Sequence, residues 1–243
     1  MRFSFAGIPV RIHASFLIIA FFGWSAGFDT TETVLWTLTV LLAVFVHELG
    51  HALTARRYGA AVSITLYGLG GLTHWRPRAP LPAIRRLLIF AAGSGAGFVL
   101  GLLVWWLGRS GALGSDLAFT LDQAFPSQIA AARFTGNPGA FVAAVTVWVS
   151  LLWGLINWLP LRSLDGGHML ATLLEMIVPR RAELIASGVS AATGVAAAVL
   201  AWREEWYLAA VFSLYLGFVG IRFRSTPRPP RPVQELPEEQ FPI

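Results

Sequence analysis

The sequence predicts an all-α polytopic membrane protein with about six transmembrane helices and short N-terminal and re-entrant β-segments. The 243-residue chain is 56% hydrophobic and only 13% charged, whereas soluble domains carry about 25% charged residues. Its apolar residues are gathered into runs of about 20, the length that crosses roughly 30 Å of hydrocarbon. The composition therefore excludes an ordinary soluble globular domain.

Six apolar segments are candidate membrane spans. Three of them have the full length of a span and contain no charged side chain, and a fourth is interrupted only by a His-Glu-His cluster. The first and the last segment are shorter. In chain order, the six are residues 16–27, 34–55, 87–107, 140–159, 184–202 and 206–221.

Two segments outside these spans alternate apolar and polar residues, which is the period of a β-strand. Residues 2–13 predict an edge strand, where Pro9 is tolerated. Residues 61–75 also alternate before they break at a glycine-rich stretch. Two interpretations stay open for 61–75: a re-entrant or interfacial β-segment that the protein buries, or a loop on the membrane surface.

The remaining segments complete the domain organisation. Residues 108–138 are expected to form a polar external loop, and residues 1–222 a single integral-membrane core. Residues 223–243 are rich in Pro and Glu and are expected to be a disordered cytoplasmic tail.

Arginine is distributed asymmetrically across the predicted spans. All 18 basic residues are arginines; 15 fall on the side of both termini and three on the other side. This positive-inside bias places both termini in the cytoplasm of a multi-pass protein of the cell membrane. This topology explains the excess of basic over acidic residues, and no nucleic-acid partner is expected.

The second span contains the sequence HELGH. His47 and His51 are four residues apart, so that one helical face carries both imidazoles. Glu48 is rotated by about 100° and can reach a metal-bound water. Zinc lowers the pKa of such a water and polarises a carbonyl, while the glutamate transfers the proton to the leaving amine. The pattern favours one Zn²⁺ per chain and a hydrolase.

The alternative is a membrane transporter or a metal-binding scaffold in which a non-hydrolytic His/Glu/Asp cluster lines a pathway. Ionisable groups near the bilayer centre each cost on the order of 2–3 kcal/mol or more. Three such groups at helical spacing need a compensating partner, which a metal ion supplies. We therefore favour the metal site.

A catalytic zinc needs a third protein ligand. The chain has no cysteine, so the ligand must be a nitrogen or oxygen donor. Asp165, in NWLPLRSLDGGHML, is the best candidate, although an Asp before Gly-Gly is also typical of a turn or a helix N-cap. The full set of candidates is His13, His74, Asp165, His168 and Glu175.

HELGH in a membrane span, followed by NWLPLRSLDGG, resembles the site-2 protease family of intramembrane zinc metalloproteases. The GLGG stretch at residues 68–71 also resembles the family's segment after the first zinc helix. The resemblance implies His47, His51 and Asp165 as zinc ligands and Glu48 as the catalytic glutamate. It implies that Asn157 lies beside the site and positions the substrate or the oxyanion.

The resemblance also implies the reaction, which is hydrolysis of a peptide bond within or near a transmembrane segment of a membrane-protein substrate. The other membrane zinc peptidases, of the prenyl-protein type, take a later glutamate ligand where this chain has LDGG. Many site-2 proteases carry Gly-Pro-x-x-Asn in the next helix, whereas this chain has AAGSGAGF. The chain is expected to be a minimal form without a PDZ or CBS domain.

Overall fold

The computed structural model describes residues 1–68, 70–125, 127–219 and 221. The tail predicted at 223–243 lies outside the described residues. The helices and strands follow in the order β1 (Arg2–Phe5), β2 (Ile8–Ile12), a 3-10 helix (Ala14–Leu17), α1 (Ile18–Ser25), α2 (Thr30–Arg57), β3 (Ala60–Tyr67), β4 (Gly70–Pro77), α3 (Ala83–Arg109), α4 (Ser115–Asp122), α5 (Gln128–Thr135), α6 (Pro138–Asn157), α7 (Asp165–Ile177), α8 (Ala182–Arg203) and α9 (Tyr207–Phe218).

Four of these helices are long and apolar enough to cross a membrane, namely α2, α3, α6 and α8. The chain is thus a mostly helical, multi-pass membrane protein with a small sheet, as the sequence predicts. The outer two predicted spans correspond to shorter apolar helices, Ala14–Ser25 and Tyr207–Phe218.

Helix α2 has well-defined ends. Asp29 accepts a hydrogen bond from the Glu32 amide, and the Glu32 side chain accepts one from the Asp29 amide, which forms a capping box. The C-terminal end is followed by Gly59 with φ of +80°, a left-handed conformation that glycine adopts without strain. The chain then turns directly into β3, so the sheet lies at the C-terminal end of α2.

The core is formed where α2 packs against α3 and α6. Small and β-branched side chains such as Ala43, Val44, Ala144 and Val147 are buried there, which allows the helices to approach closely. Gly50 on α2 lies so near the Ala92 carbonyl of α3 that a Cβ would lie within 2.9 Å of the Ala92 carbonyl carbon. This close crossing brings the centre of α3 against the HELGH turn.

The N-terminal segment differs from the predicted single edge strand. It is a hairpin in which β1 pairs antiparallel with β2, and β2 continues into a parallel pairing with β3. The turn at Ala6 and Gly7 has φ of +49° and +75°, as two-residue hairpin turns require. Alanine is rare at such a position, so Ala6-Gly7 is a weaker turn signal than Asn-Gly or Gly-Gly. An Arg56 guanidinium hydrogen bond to the Ala6 carbonyl supports the turn.

The 61–75 segment is also a hairpin and not an irregular loop. Strand β3 pairs antiparallel with β4, and the sheet order is β1-β2-β3-β4. Among the described residues, β3 is therefore interior, while β4 has one backbone edge without a strand partner. The glycine-rich stretch marks the turn between β3 and β4.

The predicted external loop at 108–138 instead contains α4 and α5. Leu121, Gln128 and Ala132 are buried there against the ends of α3 and α6. The segment is polar overall, but through these few inward-facing residues the short helices α4 and α5 pack against α3 and α6.

Candidate active site

His47 and His51 lie one turn apart on α2 and are both buried, at 4% and 6% exposure. Their ring centroids are 4.9 Å apart, and the two Nε2 atoms are 3.2 Å apart. The i, i+4 spacing thus presents two imidazole nitrogens to one point, as the sequence predicts.

Asp165 supplies the third atom of this group. Its Oδ2 lies 3.3 Å from His47 Nε2 and 3.1 Å from His51 Nε2. A tetrahedral zinc with ligand distances of about 2.0–2.1 Å requires ligand atoms about 3.3–3.4 Å apart. The observed triangle is therefore close to one face of a zinc coordination tetrahedron.

Hydrogen bonding fixes the orientation of one imidazole. His51 Nδ1 is 2.7 Å from the Ile89 carbonyl of α3. A neutral ring that donates from Nδ1 has its lone pair on Nε2, which faces Asp165 and His47. Two ring nitrogens and a carboxylate oxygen so arranged form a donor set that fits a divalent cation.

The other candidate third ligands lie elsewhere. His13 Nδ1 is bonded to Ser15, and Glu175 pairs with Arg86. His74 is exposed on β4, and the His168 ring stacks on Phe90. Within the described residues, His47, His51 and Asp165 are the one group of side chains placed so that they could hold a metal ion.

The Asp-Gly-Gly of the LDGG segment starts a helix and does not form the turn that an Asp before Gly-Gly also suggests. Helix α6 ends at Asn157, before Pro160, and α7 begins at Asp165 itself. Gly166 and Gly167 lie against the carbonyls of the preceding loop, which would collide with a Cβ at either position. The two glycines thus permit a close approach of the backbone that places Asp165 at the tip of α7, beside α2.

Glu48 is 5% exposed and is held by strand β4. The Thr73 hydroxyl is 2.7 Å from Glu48 Oε2 and 3.0 Å from the Glu48 carbonyl oxygen. Gly71 lies on the same face of the strand, and a Cβ there would be 2.6 Å from Glu48 Oε1. Sequence reasoning missed both roles, although the period-2 alternation of β4 could have placed residues 71 and 73 together.

Asn157 occupies the last residue of α6 and is 9% exposed. Its side-chain amide donates a hydrogen bond to the Trp153 carbonyl one turn earlier. Within the described part of the chain this is its one side-chain hydrogen bond. The amide makes no hydrogen bond to His47, His51 or Asp165 among the described residues.

The unusual AAGSGAGF segment of α3 packs directly on the site. Gly93 lies against the His51 ring, where a Cβ would be 2.6 Å from Cδ2. At Gly97, a Cβ would be 3.2 Å from the Ser150 carbonyl of α6. Small residues in this stretch therefore allow α3 to lie close to both the metal ligands and α6.

Gly93 gives a testable prediction. Replacing Gly93 with Ala is expected to displace the His51 ring and to reduce zinc content, with a loss of about 1–3 kcal/mol from overpacking. Gly95→Ala on the same helix is the matched control, because a Cβ there meets nothing within 4 Å. Metal analysis and thermal unfolding of both purified variants measure the effect. Equal zinc content in the two would contradict the role given to Gly93.

Two known proteins illustrate what this chain is similar to. It is 31% identical over 238 residues to the putative zinc metalloprotease Rip3 of Mycobacterium tuberculosis, a match that covers 88% of this chain and 54% of the relative. It is 25% identical over 179 residues to the zinc metalloprotease MJ0392 of Methanocaldococcus jannaschii, covering 71% of this chain and 44% of the relative. The chain spans about half the length of these curated relatives.

The fold matches the solved structure of a site-2 protease from Methanocaldococcus jannaschii with a TM-score of 0.61. The match has 19% sequence identity and covers 94% of this chain and 98% of that one. The model of peptidase family M50 matches residues 35–201, a stretch that includes HELGH and Asp165. Because this match spans more than half of the chain, the protein belongs to peptidase family M50, in agreement with its resemblance to the site-2 proteases.

Proposed function

We propose that this chain is the catalytic core of an intramembrane zinc metalloendopeptidase. It hydrolyses a peptide bond within or near a transmembrane segment of a membrane-protein substrate. The observation that carries the proposal is the triangle of His47, His51 and Asp165, whose two histidines share a helix of membrane-spanning length with Glu48.

Each site residue receives a role in this proposal. His47, His51 and Asp165 would hold the zinc, which when bound supplies a Lewis acid that polarises the scissile carbonyl and acidifies water. Glu48 takes a proton from the attacking water and returns it to the leaving amine nitrogen. Asn157 at the end of α6 would turn its amide towards the bound substrate or the oxyanion.

The membrane arrangement is also part of the proposal. Helix α1 together with the preceding 3-10 turn, and helix α9, would complete six spans in the cell membrane, with both termini in the cytoplasm. The hairpin β3–β4 would be re-entrant. His51 lies five residues before Arg56 at the end of α2, which is roughly 8 Å along the axis. Water would thus reach the site from the cytoplasmic side, which carries most of the arginines.

A substrate is expected to bind partly as an added strand on β4. The outer backbone edge of β4 is without a strand partner among the described residues, and strand addition to a free edge is a common mode of peptide capture. An extended substrate also exposes the scissile amide that a helix would hide. Crosslinkers at Leu72 or His74, both exposed on β4, should trap substrate in the Glu48→Gln protein.

Strand β1 provides the control for this experiment, since it forms the opposite edge of the sheet. The chain contains no cysteine, so a single introduced cysteine carries the crosslinker without background labelling. A crosslinker at Ser4 should trap little substrate. Capture at Ser4, with none at Leu72 or His74, would contradict strand addition to β4.

The function itself is tested by comparing cells that produce the wild-type chain with cells that produce the Glu48→Gln variant. Mass spectrometry of new protein termini in the membrane fraction should find fragments cut in transmembrane segments with the wild type alone. If zinc is bound but both samples contain the same fragments, the chain is instead a metal-binding scaffold or a transporter.

A further inference from the structure

Glu48 makes a hydrogen bond that the HELGH pattern does not account for. The Thr73 hydroxyl on β4 lies within bonding distance of both Glu48 Oε2, at 2.7 Å, and the Glu48 carbonyl oxygen, at 3.0 Å. Within the described ranges, Thr73 is the one residue that donates a side-chain hydrogen bond to this carboxylate. The contact joins residues 25 positions apart in the sequence.

The geometry of this contact restricts how Glu48 can point. Both acceptors belong to the same residue, and because the hydroxyl has a single proton, it donates that proton to the carboxylate or shares it with the Glu48 carbonyl oxygen. Other rotamers of Glu48 would lose the bond to Thr73. A hydrogen bond to a charged group contributes more than one between neutral groups, and the site is buried.

Gly71 also affects where this carboxylate can lie, because it has no side chain. The burial of β4 alternates, and Gly71 and Thr73 share the less exposed face that meets α2. A Cβ at residue 71 would be 2.6 Å from both Cδ and Oε1 of Glu48. The strand therefore leaves room for one carboxylate oxygen at Gly71 and binds the other at Thr73.

We propose that Thr73 is a positioning residue for Glu48, acting through the hydroxyl that orients the carboxylate towards the attacking water. This role rests on the proposed protease function. Because one edge of the same strand has no strand partner within the described ranges, β4 would align the substrate backbone and the general base together. Any shift of the hairpin along α2 would then misplace both.

The test measures cleavage of one substrate by the purified wild type and by three purified variants. The substrate is a fusion protein whose single membrane span is the one that the wild type cuts most in the mass spectrometry of new protein termini. Thr73→Val keeps the shape and removes the hydroxyl, and Thr73→Ser keeps the hydroxyl. Thr37→Val on α2 is the matched control, because the one hydrogen bond of the Thr37 hydroxyl among the described residues is to the Thr33 carbonyl of its own helix.

Thr73→Val should lower kcat by about 10- to 100-fold, the effect of losing a hydrogen bond to a charged group. KM should stay within about twofold, since such a pattern marks an interaction made in the transition state. Zinc content and melting temperature should match the wild type. Thr73→Ser should recover most of the rate, and Thr37→Val should behave as the wild type. In the Glu48→Gln background, Thr73→Val should have little further effect.

Some results would overturn the role of Thr73 and leave the protease function standing. They are an unchanged kcat in Thr73→Val, a rise in KM without a fall in kcat, or failure of Thr73→Ser to restore the rate. Loss of zinc from Thr73→Val would assign the residue to the metal site and likewise overturn it. No cleavage by the wild type would refute the protease function, and with it the positioning role.

Discussion

Replacing Glu48 with Gln is expected to lower the rate of peptide-bond hydrolysis by about 10²–10⁴-fold, the usual contribution of a general base. Glutamine has nearly the same shape and still offers Thr73 an oxygen acceptor, but it cannot take a proton from water. The metal-binding atoms belong to other residues, so zinc content should equal that of the wild type. Initial rates and metal analysis on the same purified protein measure both quantities.

Comparing the rate of hydrolysis with the zinc content separates a role of Glu48 in catalysis from a role in supporting the metal site. A variant that lost its zinc together with its activity would indicate that Glu48 supports the metal site. A variant that kept both would remove Glu48 from the reaction. Gly95→Ala provides a reference for a harmless change near the site, since its added methyl group meets nothing within 4 Å.

Replacing Asp165 with Ala is expected to weaken zinc binding by more than about 100-fold. Loss of a supporting residue around a metal site already costs about 10–100-fold in affinity, and Asp165 is proposed here as a direct ligand. The substitution also leaves the two imidazoles without the carboxylate that lies 3.3 and 3.1 Å from them. Titration with a competing chelator measures the affinity, and hydrolysis should be lost in parallel.

His168→Ala is the matched control for Asp165→Ala. His168 lies three residues further along α7, and its ring stacks on Phe90 with centroids 4.9 Å apart, outside the metal-binding group. This variant should retain zinc, although it can be less stable. Equal zinc retention in the two variants would remove Asp165 from the ligand set.

Local periodicity explains why part of the site could be predicted from the sequence. The i, i+4 spacing of His47 and His51 follows from helix geometry alone, so their convergence needed only a correctly assigned helix. The central long helices are predictable for a similar reason, because crossing a bilayer requires long apolar runs. The hairpin at β1 and β2 was missed because Ala6 adopts a backbone conformation that its residue type rarely takes.

What the sequence alone determined about this protein is its membrane class, its long helices and the HELGH face of α2. Its family motifs also indicated Asp165. The tertiary structure decided the rest: that Asp165 Oδ2 meets both imidazoles, that Thr73 binds Glu48, and that β4 has an edge without a strand partner in the described part of the chain. These contacts join residues far apart in the chain. Their formation depends on how α3, α7 and the hairpin pack on α2, which no local spacing encodes.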